Sequence, residues 1–93
     1  NALIIASKNG NLSMINTFLE YGADVNFQDQ FGITALMVAT WRNDLNAVKI
    51  LLEHGADIYR FNFTGKSVLD FKGASEELKT LFNLHIKLLK ELN

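Results

Sequence analysis

An all-α solenoid, built from stacked helix–turn–helix units, is the fold that this 93-residue chain predicts. Three observations point to it. The octapeptide Phe18-Leu19-Glu20-Tyr21-Gly22-Ala23-Asp24-Val25 returns 33 positions later as Leu51-Leu52-Glu53-His54-Gly55-Ala56-Asp57-Ile58. Other residues keep the same interval: Leu3, Leu36 and Leu69; Ala6 and Ala39; Leu12, Leu45 and Leu78; Gly32 and Gly65. Within each interval apolar residues recur at helical spacing and a Gly-containing turn follows, which is how helical repeats are written. The chain divides accordingly into a partial first repeat (1–28), a second (29–61) and a C-terminal capping repeat (62–93), all in one domain.

The middle unit is the clearest. Thr34 is placed to cap a short first helix whose buried side carries Leu36 and Ala39. Ala39, like Ala6 before it, suits a place where two helices approach closely. A second helix is predicted from about Asp44 to His54, with Leu45, Val48, Ile50, Leu51 and Leu52 at helical spacing and Asn46, Lys49 and Glu53 toward water. Gly55 then ends it.

Gly32-Ile33-Thr34-Ala35-Leu36-Met37-Val38-Ala39, followed by Val48-Lys49-Ile50-Leu51-Leu52 and Gly55-Ala56-Asp57-Ile58, resembles the ankyrin repeat. The first unit joins the pattern partway, at Asn1-Ala2-Leu3-Ile4-Ile5-Ala6, and keeps Gly22-Ala23-Asp24-Val25-Asn26 intact. The resemblance implies paired helices joined by extended, β-hairpin-like loops. It also marks departures. The family's Pro is replaced by Ala2, Ala35 and Val68, and its His by Ile4, Met37 and Asp70. Losing a residue that pre-sets φ and one that hydrogen-bonds neighbouring loops predicts a stack less stable than the family's average. Asn43 stands where the family carries Gly, as Gly10 does, and Asn is one of the few residues that tolerate positive φ.

The third unit keeps Gly65, Ser67 and Leu69, then departs after Asp70. Lys72 replaces the small Ala of positions 6 and 39. Ser75 is predicted to cap a long helix running to about Asn93, with Glu76 and Glu77 at its positive end and Lys87 and Lys90 near its negative end. Leu78, Leu81, Phe82, Leu88, Leu89 and Leu92 are read as its inner stripe, with Leu84 and Ile86 outside it. Lys72, Lys79 and Lys87 supply the polar outer side that a terminal repeat requires. Nothing comparable covers the start of the chain, so further repeats are expected before Asn1.

Composition narrows the function. A net charge of −1 gives no reason to expect nucleic acid or a membrane surface as partner, and basic residues look scattered along the chain. With 48% hydrophobic residues a core is affordable, yet no apolar run approaches the roughly 20 residues of a membrane span. The chain has no cysteine, which excludes disulfides and thiolate metal sites and is compatible with a cytoplasmic setting, or the host cytosol for a microbial effector. The enrichment in Asn, Lys, Ile and Phe reads as compositional bias.

Residues that could carry chemistry have plainer explanations. His54 and His85 form no ligand pair, so neither metal nor cofactor is expected. Asp24 and Asp57 recur after Gly-Ala and are assigned to turns. No nucleophile elbow or phosphate loop is present, and the chain is not expected to be an enzyme. Asn11-Leu12-Ser13 and Asn62-Phe63-Thr64 match the glycosylation pattern but are treated as coincidence.

What remains is binding. In proteins resembling this one, partners contact loop tips and the exposed end of the first helix on the concave side. That carries over to Gln30, Phe31, Ile33, Trp41, Arg42 and His54 in the second repeat, and to Phe61, Phe63 and Lys66 around the third. Lys8, Asn9, Tyr21, Gln28 and Thr64 occupy corresponding places. The aromatic members suggest a protein partner gripped by a Phe31/Trp41/Phe61 patch. A monomer is expected, and two alternatives stay open: a substrate-docking domain of a larger enzyme or secreted effector, and a structural or oligomerisation module that self-associates through the last helix.

Overall fold

The structure is a computed structural model that describes residues 1–92. Five helices follow one another: α1 (Ala2–Lys8), α2 (Leu12–Glu20), α3 (Ala35–Trp41), α4 (Leu45–Glu53) and α5 (Glu76–Glu91), with a single 3-10 turn at Val68–Asp70 before α5. Helix α3 packs on α1 and α4 on α2, so successive units stack in parallel. No strand occurs among the described residues. The loops are nonetheless hairpin-like: Asp29 N donates to Ile33 O (3.0 Å) and Asn62 N to Lys66 O (2.8 Å), one repeat apart.

Each helix begins where a polar side chain satisfies an orphan N–H. Asn1, Asn11, Thr34, Asp44 and Ser75 all accept from the backbone N–H three residues on. Two residues at the family's missing His supply further caps. Thr34 N–H donates to Met37 Sδ at 3.4 Å, and Ser67 N–H to Asp70 Oδ2 at 2.8 Å. Gly22 and Gly55 end α2 and α4 with φ of 88° and 89°, so the two repeats close in the same conformation. Asn43 takes positive φ, 52°, as expected from its place.

The core is one cluster threading the stack, centred on Ile15, Leu36, Ala39, Val48, Leu51, Ile58 and Leu78. Ser7 and Thr40, 33 residues apart, are buried among these apolar groups. Each donates its hydroxyl to the carbonyl one turn back, Leu3 O (2.9 Å) and Leu36 O (2.7 Å). No helix among the described residues is long and apolar enough to cross a membrane.

The third repeat corrects several expectations. Its cap Ser67 lies 33 positions after Thr34, but Ser75 follows Ser67 by eight positions where Asp44 follows Thr34 by ten. The unit is therefore two residues shorter between its caps, and its first helix shrinks to the 3-10 turn. Leu69 is exposed, although it keeps the interval of buried Leu3 and Leu36, and Val68 alone enters the core there. With caps aligned, Leu78 and Phe82 take the places of Ala47 and Leu51, and all four are buried. The inner stripe of α5 is correspondingly short. Leu88 and Leu92 are exposed, whereas Ile86 packs against the core. Helix α5 ends at Glu91, and Asn93, where it was expected to end, lies outside the described residues.

Candidate partner-binding face

Trp41 is the last residue of α3 and stays 42% exposed although the six residues before it are buried. It stands between two open grooves. One, of about 260 Å³, is shared with Lys8, Ile33, Val38 and Arg42. The other, of about 340 Å³, is shared with Lys66, Lys72, Phe71 and the polar side chains of Asn62, Ser67 and Asp70. The helix end positions the ring: Thr40 faces inward to bond Leu36 O, so the next residue swings to the surface.

The structure brings Ile33, Trp41, Arg42 and Lys66 together around these grooves. Phe31, Phe61, Phe63 and Gln30 are exposed in the loops, and line neither groove. Phe31 and Phe63 do meet across adjacent loop tips, where Phe63 N donates to Phe31 O at 3.0 Å. The Phe63 ring also covers Gly32, whose missing Cβ would lie 2.7 Å from Phe63 Cδ1, so only glycine allows that approach. His54 sits apart, capping the C-terminal end of α4 with Nδ1 2.9 Å from Ile50 O.

Some exposed polar residues also hold the scaffold. Arg42 Nη1 donates to Lys8 O at 2.8 Å, tying repeat 2 to repeat 1. Gln28 Nε2 donates to Gly32 O (3.0 Å) and Phe61 O (2.8 Å). Asn26 bridges to Gly55 O and Asp57 N, and Asn43 donates to Gly73 O (3.0 Å) while accepting from Ser75 N (2.7 Å). Asn11 and Asn62, from the two glycosylation-like tripeptides, cap α2 and a loop tip. Asp24 and Asp57 each accept from the N–H two residues on, as turn residues do.

Charge is where sequence reading fell short. The two grooves gather Lys8, Arg42, Lys66 and Lys72 around Trp41, against one lining carboxylate, Asp70, whose Oδ2 is engaged by Ser67. The sequence pattern assigns Lys72 only to the polar outer side of its repeat. No local pattern marks this cluster, since its members lie in three repeats and only stacking unites them. Asp29, at the loop tip beside this face, is pulled two ways. Burial raises its pKa, but the N–H groups of Ile33 and Phe31, helped by Lys8, hold it below the ordinary value.

A further apolar surface lies on repeat 1, lined by Ile5, Ala6, Met14 and Phe18. Shifted by 33 residues these become Val38, Ala39, Ala47 and Leu51, which are buried where repeat 1 stacks on repeat 2. By register, then, that surface corresponds to the side of repeat 2 that packs on repeat 1, and it does not share the polar groups that surround Trp41.

Stacked helix pairs joined by hairpin-like loops define a repeat scaffold. A family model of ankyrin repeats, in three copies, matches residues 1–84, and the chain belongs to the ankyrin-repeat family. Among curated proteins no significant match is found. Ankyrin repeats generally act as protein–protein interaction modules, and the fold is typically non-catalytic.

Proposed function

We propose that this domain is a non-catalytic binding module that holds a partner protein on its concave face, with Trp41 as the anchor. The observation that carries the reading is a large ring left exposed between two grooves at a helix end where a smaller residue would serve the stack. Such rings, with Arg beside them, recur among the residues that dominate interface energies. Ile33, Arg42 and Lys66 line the same grooves, while Phe31, Phe61, Phe63 and Gln30 are exposed in the neighbouring loops and His54, at the end of α4, stays outside the proposed face. The same face would serve a docking domain attached to an enzyme or effector, and the cysteine-free chain fits the cytoplasm or a host cytosol.

Trp41→Ala is expected to weaken capture of the partner by about 2 kcal/mol or more. Its cost in unfolding free energy should stay below the roughly 2–5 kcal/mol of a core truncation, because Trp41 is 42% exposed. A loss of stability as large as that of a core truncation would make Trp41 a packing residue and remove the anchor. A second reading, self-association through α5, is favoured by Leu84, Leu88 and Leu92, which lie exposed at four-residue spacing along one side.

A further inference from the structure

We infer that the occupant of the Trp41 face is an extended, acidic peptide segment carrying a bulky apolar side chain. The inference rests on the reading of this face as the partner site and adds the chemistry of the partner. Four of the chain's nine basic residues meet at the two grooves, on a molecule whose net charge is −1. Lys8 and Arg42 stand on one side of the ring, Lys66 and Lys72 on the other. Asp70, the one carboxylate lining the grooves, keeps its charge with Oδ2 turned to Ser67 N, so the cations there outnumber it four to one.

A ligand crossing the end of α3 therefore meets cation, aromatic ring and cation in turn. An extended peptide matches that order, with an apolar side chain on Trp41 and carboxylates on both sides. Complementary charge of this kind speeds encounter and excludes partners of the wrong sign. Both grooves are shallow and open, which suits side chains presented by a polypeptide better than an enclosed small molecule. A polyanion such as nucleic acid would instead ask for a long basic track, and the rest of the surface balances these cations with acids.

Trp41 is the only tryptophan, so its fluorescence reports the site directly. The full chain would be used to select from displayed random short peptides. Selected sequences free of Trp would then be titrated against wild type, Trp41→Ala and the double variant Lys66→Glu/Lys72→Glu, the Trp-free variant being read by a label on the peptide. The expected result is enrichment of Asp- and Glu-rich peptides with one bulky apolar residue, saturable perturbation of Trp41 emission, and binding that weakens with added salt. Affinity should fall roughly thirtyfold or more in Trp41→Ala and roughly tenfold or more in the charge-reversed variant.

Enriched peptides that are neutral or basic but still need Trp41 would overturn the acidic chemistry and leave the face standing. Acidic peptides that bind Trp41→Ala as well as wild type would overturn the inference and the face together. No enrichment at all would overturn the peptide as occupant. A duplex oligonucleotide, or vesicles of phosphatidylserine, that perturbed Trp41 at lower concentration than any peptide would assign the cations to that ligand instead.

Discussion

Repeats 2 and 3 start from the same residues and end differently. Thr34 and Ser67 cap equivalent positions, and Ala35 and Val68 enter the core behind them. In repeat 2 every residue from Ala35 to Thr40 is buried and the helix runs to Trp41. In repeat 3 the turn stops at Asp70, because Lys72 and Gly73 stand where Ala39 and Thr40 fill the closest part of the stack. A lysine cannot be buried there without stranding its charge, and glycine favours leaving the helix. The lost helix is replaced by length elsewhere. Helix α5 has 16 residues where α4 has nine, but the last of them to pack on the core is Ile86. The difference shows how the third unit departs from the second: its inner helix is abbreviated and its outer helix runs on past the core.

The largest break in this comparison comes from truncating the two outer helices at sites of unmatched burial. Leu51→Ala, at a fully buried site of α4, should cost about 2–5 kcal/mol, a large part of the total stability of so small a domain. Leu88→Ala, in the overhanging half of α5, should change unfolding free energy by about 0.5 kcal/mol or less. Urea denaturation of both variants checks the pair. A large loss in Leu88→Ala would mean that the overhang is buried in solution, and sedimentation would then show whether a second copy covers it.

The junction between the two repeats can be tested at Asn43. Its backbone needs the left-handed region and its amide holds the loop before α5, so one residue performs two tasks. Asn43→Gly keeps the first task and removes the second, for an expected loss of about 1 kcal/mol. Asn43→Ala removes both and should cost about 1–2 kcal/mol more, the penalty of a Cβ at positive φ. Amide exchange should quicken at Ser75 in both variants and stay slow at Ala47. Equal stabilities for the two variants would show that the backbone conformation carries no cost here.

Repeats 1 and 2 were legible because their interval holds through caps, core and turns alike. Repeat 3 was legible only in part: the Ser75 cap and the long helix after it were, but Leu69 lies exposed in a 3-10 turn and two missing residues move Leu78 to the place of Ala47. A count of leucines cannot see that slip, whereas the caps Ser67 and Ser75 register it. The asparagines taken as compositional bias turned out to bridge and cap, because an amide both donates and accepts where a loop offers one group of each kind. At the face, exposure of the aromatic residues followed from their loop and helix-end positions. The gathering of Lys8, Arg42, Lys66 and Lys72 did not, since it depends on how three units stack.

The smallest effect separates the two loop tips. Asp29 and Asn62 are equivalent, and each uses one oxygen to hold two backbone N–H groups. Asp29 Oδ1 accepts from Phe31 N (2.8 Å) and Ile33 N (2.9 Å), and Asn62 Oδ1 from Thr64 N and Lys66 N (both 3.0 Å). The carboxylate titrates and the amide does not. Because the folded chain holds Asp29 below its ordinary pKa, its contribution is present above the unfolded value of about 3.9 and is lost as pH falls through the lower folded value. Acid should therefore loosen the loop of repeat 2 while leaving that of repeat 3 in place. The amide resonances of Phe31 and Ile33 should shift with Asp29 protonation below about pH 3.9, those of Thr64 and Lys66 should not follow it, and Asp29→Asn should flatten the response. Parallel titration of both tips would show instead that acid acts on the stack as a whole, and that the two loops do not differ in what holds them.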